Sequence, residues 1–373
     1  MSVPAQQDGA RSLPASRVLV YRLGSLGDMV VALPSLHLIE RVFPAAERRL
    51  LTNVPVSAKA PAAKAVLGGS GLIHSYERYA VGTRSLFQLL ALAWRIRRFR
   101  PDVLVYVVAA RGLPVAERDA KFFRWACGVR RLVGVPLTED MQCHRTSDDG
   151  TLEPEASRLL RNLAYLGQVD LQEPGSWDLR LTASELQRAE AALLPVAGER
   201  LLSVCVGTKV QAKDWGASNW HALLARLASL YGGYGLVLVG AAEEVGASEA
   251  AADGWRSVKG AGPVLNLCGA LSPRESAAVL QRTELFVGHD SGPMHLAAAV
   301  GTPCVAIFAA RNRPRVWFPF GKAHRVLYHR VDCWGCELET CIQQRKKCLL
   351  SITVEEVVQA IGEVLSRPSA PNK

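Results

Sequence analysis

Four short stretches carry side chains able to do chemistry, each where an apolar run gives way to a helix-like pattern. The first is Arg22-Leu23-Gly24-Ser25-Leu26-Gly27-Asp28. Gly24 and Gly27, three apart, let the backbone pass close to a ligand and expose helix N–H groups. The spacing is not G-x-G-x-x-G, so the dinucleotide fingerprint is absent. A carboxylate at position 28 sits where the helix dipole favours negative charge. Such a group can take the proton of a hydroxyl that is becoming a nucleophile. Asp is also a favoured N-cap, and on spacing alone the cap is the commoner role.

The second stretch is His289-Asp290-Ser291-Gly292-Pro293-Met294-His295. It follows a buried-type strand, and Pro293 suits a first helical turn. Asp290, Ser291, Gly292 and His295 thus surround exposed N–H groups, an arrangement that binds anions. In the plainer reading Asp290 or Ser291 only caps the helix. The third stretch, Gly207-Thr208-Lys209-Val210-Gln211-Ala212-Lys213-Asp214-Trp215, sets Thr208, Lys213 and a tryptophan after a strand. It suits a phosphate-rich ligand, although surface lysines are usually just solvated. In the fourth, Glu243 lies just past a strand. It can accept hydrogen bonds from a ribose diol or simply favour a helix start.

Alternating strands and helices must position these groups. Strands are expected at 17–23, 49–52, 102–108, 131–133, 201–206, 235–239, 264–267, 285–287 and 304–308. Helices are expected between them, at 28–41, 84–100, 117–127, 153–167, 184–194, 218–231, 243–252, 273–283 and 292–300, with a last one at 353–365. The pattern predicts an α/β chain of two doubly wound, Rossmann-like domains with parallel sheets and a cleft between their carboxyl edges. Interrupted periodicity places the linker near 167–180. The expected divisions are a disordered tail at 1–16, a first Rossmann-like domain at 17–175, a second at 176–350, and a helix and tail at 351–373.

Composition narrows the class. The chain has 373 residues, 49% hydrophobic and 21% charged, with a formal net charge of +10. That excludes a disordered or fibrous chain and suggests an anionic partner. The apolar stretch 295–310 contains Gly301, Thr302 and Pro303 and makes a poor membrane span. No apolar signal region precedes residue 17, so a cytoplasmic protein is expected. The stretch 84–100 combines arginines with Leu86, Phe87, Leu90 and Trp94, as a core helix or a membrane-surface helix would. Cys333, Cys336, Cys341 and Cys348 are close enough in sequence to hold zinc but lack a second C-x-x-C, which leaves the metal question open.

Taken together, the motifs resemble family 9 of the glycosyltransferases, the lipopolysaccharide heptosyltransferases. R-L-G-S-L-G-D, K-D-W, G-A-A-E and H-D-S-G-P-M-H-L-A-A-A-V-G-T-P carry the likeness in order, as does the stretch 345–350 before I-T-V-E-E-V. The resemblance covers about 17–365. It implies a GT-B fold and inverting transfer of a sugar without a metal or other cofactor. The implied donor is a nucleotide sugar, ADP-heptose above all, and the implied acceptor an anionic glycolipid or glycan. The resemblance makes 17–175 the acceptor-side domain and 176–350 the nucleotide-sugar-binding one, and such an acceptor allows peripheral contact with the inner membrane surface. No clustered Lys/Arg–aromatic motif points to nucleic acid, and none is expected as a partner. Carried over by position, Asp28 matches the catalytic base and Lys213 the donor-phosphate lysine. Glu243 matches the acidic residue near the ribose. Gly27, Thr208, Asp290, Ser291, Gly292 and His295 complete the expected donor site. Asp214-Trp215-Gly216 stands where the family has Arg-Trp-Pro, and 309–314 departs from the family's Gly-Pro-Thr-Asp-Pro. The alternatives are another sugar or acceptor, or a nucleotide-sugar-binding protein without catalysis.

Overall fold

The computed structural model describes residues 14–54, 62–148 and 150–367. Residues 1–13 of the expected N-terminal tail and the last six of the chain lie outside the described residues.

Among the described residues eleven strands form two sheets, and every strand pair is parallel. The first contains β1 (Arg17–Tyr21), β2 (Glu47–Asn53), β3 (Ser75–Tyr79), β4 (Val103–Tyr106) and β5 (Arg131–Val133), in the order β3-β2-β1-β4-β5. The second contains β6 (Arg200–Cys205), β7 (Tyr234–Leu238), β8 (Val264–Asn266), β9 (Leu285–His289), β10 (Cys304–Phe308) and β11 (Arg325–Tyr328), in the order β11-β10-β9-β6-β7-β8. Both are doubly wound orders with the first strand of each half at the centre. The central strands are continuous apolar runs because helices cover both faces: β4 and β10 are buried throughout.

The edge strands β3 and β11 are absent from the expected set. Their sequences, SYERY and RVLY, are short, part-polar and only partly buried. An edge strand packs less apolar surface, so it lacks the continuous run that marks a central one. The single helix expected at 28–41 is two, Leu26–Val31 and Leu33–Val42. Pro34 sits in the first turn of the second, where a missing N–H is tolerated, whereas inside one continuous helix it would break the ladder. The helix expected at 117–127 begins earlier, at Leu113, and gives way to a wide turn over Phe122–Ala126.

Packing brings the halves together. Arg274 is buried; it donates to the carbonyls of Val66 (3.1 Å) and Leu179 (2.9 Å) and pairs with Glu185 (2.6 Å). One guanidinium thus ties the first sheet's helix layer, the connecting segment and the second half. Trp177 of that segment stacks on Phe320, with ring centroids 5.0 Å apart. The helices Leu26–Val31 and Gly292–Ala299 meet so closely that a Cβ on Gly292 would lie 2.8 Å from Leu26 Cδ2. Each of these helices follows the carboxyl end of a central strand, so their contact aligns the two carboxyl edges on one cleft.

Candidate active site

The cleft has a volume of about 650 Å³. From the first half Gly27 and Asp28 reach it; from the second, Thr208, Lys213, Glu243, Asp290, Ser291, Gly292 and His295. All nine residues singled out from the sequence therefore line one space, although 265 positions separate Gly292 from Gly27 in the chain.

Asp28 is held from several sides. The expected N-cap role is overturned: Ser25 caps the helix, and Asp28 is the third helical residue, closing a capping box. Its Oδ2 accepts the Ser25 N–H at 2.8 Å. Behind it lies Arg22, fully buried, which donates to the Asp28 carbonyl at 2.6 and 3.1 Å and to the Val107 carbonyl at 3.0 Å. Arg22 Nη2 stands 3.5 Å from Asp28 Oδ1. Burial disfavours the charged form of Arg22, and the nearby Asp28 and Glu155 carboxylates counter it. Gly24 makes room for this fold: at φ +126°, a Cβ there would fall 2.2 Å from Asp28 Cγ. The carboxylate keeps about a quarter of its surface open to the cleft.

Facing it, Lys213 Nζ lies 2.6 Å from Asp290 Oδ2 and donates to the Asp290 carbonyl at 3.2 Å. Asn312 Nδ2 donates to the same Oδ2 at 3.1 Å. The helix Gly292–Ala299 starts here with Ser291 as its cap residue, and the buried Ser291 hydroxyl makes no hydrogen bond of ordinary geometry. His295, one turn on, is buried; burial pushes its imidazole from 6.5 down to about 4, so it stands neutral on the wall. A Cβ on Gly27 would come 2.9 Å from that ring, so the two domains touch at the site itself.

Glu243 and Glu244 divide their roles. Glu244 Oε2 accepts the Ala241 N–H at 2.8 Å, and its carboxylate lies where a Cβ of Gly207 or Gly240 would be. Glu243 is exposed in the turn Ala242–Glu244 and makes no hydrogen bond or ion pair among the described residues. Thr208 Oγ1 accepts the Val210 N–H at 3.3 Å.

His289 points the other way. It is fully buried, accepts the Trp215 N–H on Nε2 at 3.1 Å and packs against Trp220. His289 ends β9 with its ring turned toward Trp215 and Trp220, whereas His295 lies on the first turns of the following helix, against Gly27. Arg22 and Asn312 were not assigned a role from sequence. Asn312 lies just past β10, at the carboxyl edge where sites gather, which was the available signal. Arg22 opens the first of the motifs, but its burial beneath Asp28 is not legible from composition.

The stretch 333–348 straps this side of the cleft. The Gly335 N–H donates to the Ala310 carbonyl at 2.7 Å, the Ala212 N–H to Glu339 at 3.0 Å, and Lys346 Nζ to the Asp214 carbonyl at 2.6 Å. Lys346 also stands 3.6 Å from Asp214 Oδ2, so the unusual Asp214 has a local partner. Cys333, Cys336, Cys341 and Cys348 are free thiols, and among the described residues no three His, Cys, Asp or Glu side chains are grouped to hold a metal ion.

A family model described as glycosyltransferase family 9 (heptosyltransferase) matches residues 149–347. Lipopolysaccharide heptosyltransferase 3 of Escherichia coli is 32% identical over 108 residues, which is 28% of this chain and 30% of that protein. The chain spans about a third of the length of the curated relatives it matches. A family 9 glycosyltransferase from Veillonella parvula superposes with a TM-score of 0.67 at 17% identity, covering 94% of this chain and 97% of that one. The ADP-heptose LPS heptosyltransferase II of E. coli superposes at 0.64 and 18% identity, covering 94% and 98%. These likenesses establish the GT-B arrangement of the two Rossmann-like halves.

Proposed function

This chain belongs to glycosyltransferase family 9, and from that premise we propose that it transfers a heptose from ADP-heptose to a lipopolysaccharide core or related anionic glycan. The observation that carries the proposal is the opposition of Asp28 to Lys213, Ser291 and Gly292 across one cleft. A carboxylate on one domain faces an anion-binding lysine and a helix start on the other, as single displacement at a sugar carbon requires.

In this reading the acceptor hydroxyl enters from the first domain. Asp28 takes its proton as the oxygen attacks the anomeric carbon from the face opposite the nucleotide. The new C–O bond forms while the bond to the diphosphate oxygen breaks, so the configuration inverts. The diphosphate leaves with the electron pair toward Lys213 and the N–H groups at Ser291-Gly292, which supply fixed positive charge in place of a divalent ion. Lys213 releases Asp290 as the diphosphate arrives, and Asn312 keeps its bond to that carboxylate. Neutral His295 offers a hydrogen bond without competing as a base. Glu243, unengaged and at the rim, takes the ribose hydroxyls. The reaction belongs at the cytoplasmic face of the membrane that holds the acceptor.

A donor panel, ADP-heptose first, offered with a Kdo–lipid A-type acceptor tests this. A gain of one heptose mass on the acceptor with release of ADP is expected. Donor binding without nucleoside diphosphate release in the presence of acceptor would instead mean a binding protein.

A further inference from the structure

The stretch 78–131 holds twelve Lys and Arg against three Asp and Glu, nearly the whole excess of a chain whose net charge is +10. The same stretch carries an exposed apolar surface. The helix Leu86–Phe99 buries Leu92, Ala93, Ile96 and Phe99 against the first sheet. Its opposite stripe is apolar too: Phe87 is 87% exposed, Trp94 61%, and Leu86 and Leu90 more than half. Spacings of three, four and eight residues place these side chains on one outer face. Trp125, 74% exposed, extends the patch. Arg97 fixes it there, donating to the carbonyls of Trp125 (3.0 Å) and Ala126 (2.6 Å). Arg98 lies over the Trp94 ring at 5.7 Å. A soluble surface rarely gathers this many large apolar groups. Tryptophans among arginines match an interface with an apolar interior and anionic headgroups.

The helix also starts on the side of the domain that matters. It follows the carboxyl end of β3, on the same sheet edge as Asp28, and runs back to the amino edge, where Trp94 and Arg98 lie beside Arg17 and Glu47. No helix among the described residues is long and apolar enough to cross a membrane. Attachment through this face would be lateral.

We infer that the surface formed by Leu86, Phe87, Leu90, Trp94 and Trp125 with Arg84, Arg98 and Arg124 docks the protein on an anionic lipid membrane. The inference rests on the reading above, in which the acceptor is a membrane glycolipid. Phe87 and Trp94 enter the headgroup boundary, the arginines meet lipid phosphates, and the cleft opens toward the bilayer surface.

Co-sedimentation of the full chain with vesicles tests it without acceptor or donor. Binding to phosphatidylcholine vesicles containing phosphatidylglycerol is expected, weakening as salt rises, with little binding to phosphatidylcholine alone. The double substitution Phe87→Ser/Trp94→Ser should lower the partition coefficient by about tenfold or more, and Arg84→Glu/Arg98→Glu should abolish the preference for anionic vesicles. Both variants should keep the wild-type melting temperature and wild-type transfer to a deacylated, water-soluble acceptor. Variants that bind vesicles as the wild type does would overturn the inference. So would a wild-type chain that ignores anionic vesicles, or one that is dimeric in solution and made monomeric by Phe87→Ser. A chain that binds vesicles through this face but transfers no sugar would refute the transferase reading and leave the docking surface standing.

Discussion

Arg22 Nη2 donates to the backbone carbonyl of Asp28 at 2.6 Å, while the same guanidinium reaches the Val107 carbonyl at 3.0 Å. A fully buried arginine thus connects the strand layer of the first domain to a carboxylate-bearing residue of the cleft wall. The carboxylate itself is held by the Ser25 N–H.

Asp28→Asn keeps an oxygen for the Ser25 N–H and so preserves the cap. Loss of the base should lower kcat about 10²–10⁴-fold with the donor Kd nearly unchanged. Steady-state kinetics beside calorimetric donor titration separates the two quantities. Near wild-type turnover would remove Asp28 from the reaction.

Lys213→Ala should act on both quantities. The ammonium that pairs with Asp290 at 2.6 Å also lines the cleft that the helix start at Gly292 borders. Its removal leaves Asp290 facing the diphosphate without compensation. We expect kcat/KM to fall on the order of 10²-fold or more, with ADP binding weakened alongside. ADP affinity equal to wild type would place the diphosphate elsewhere.

Arg22→Met tests positioning against mere packing. The carbonyls of Asp28 and Val107 would lose their buried donor, a destabilisation of about 2–4 kcal/mol. Chemical denaturation measures that loss. Assayed well below its melting point, the variant should also lose kcat with little change in donor KM, which a purely structural role would not produce.

Gly24→Ala places a Cβ 2.2 Å from Asp28 Cγ at a φ of +126°. A side chain is strained there in any case. Activity should drop about as far as in the Asp28 variant, because the carboxylate itself must move. A crystal structure showing Asp28 in place with activity retained would contradict this.

Stability should fall with acid in two stages. Burial lowers His289 and His295 from 6.5 to about 4 in the folded chain. The unfolded chain therefore binds two protons that the native state excludes, so their contribution is complete above pH 6.5 and lost as pH falls toward 4. Each histidine adds a slope of about 1.4 kcal/mol per pH unit inside that window. Burial alone would raise the Glu155 carboxyl, but hydrogen bonds from Arg158 and His144 more than offset it and hold it below the ordinary carboxylate range. Its contribution is present above 4.5 and is lost at still lower pH. Melting temperature against pH should show both stages, and His295→Asn should flatten only the first.

The sequence by itself determined the alternation of elements, because a strand buried on both faces must be a continuous apolar run. β4, β9 and β10 are of that kind, and the glycine and proline punctuation marks the turns after β1 and β9. It also marked the candidate residues, since small residues before a helix start are local patterns and the ordered motifs shared with family 9 single out positions within them. Tertiary structure decided what local patterns cannot encode. Whether residue 25 or residue 28 caps the first helix depends on how Gly24 lets the chain fold back. That His289 turns into the core depends on the packing of Trp215 and Trp220 against β9, and that His295 lines the cleft depends on how the helix Gly292–Ala299 docks against Gly27. Arg22 became a support for Asp28 only once β4 brought Val107 beside it. Most of all, the cleft exists because Gly27 and Gly292 allow two helices from distant parts of the chain to touch. That contact is made of absent side chains, which no composition or periodicity reveals.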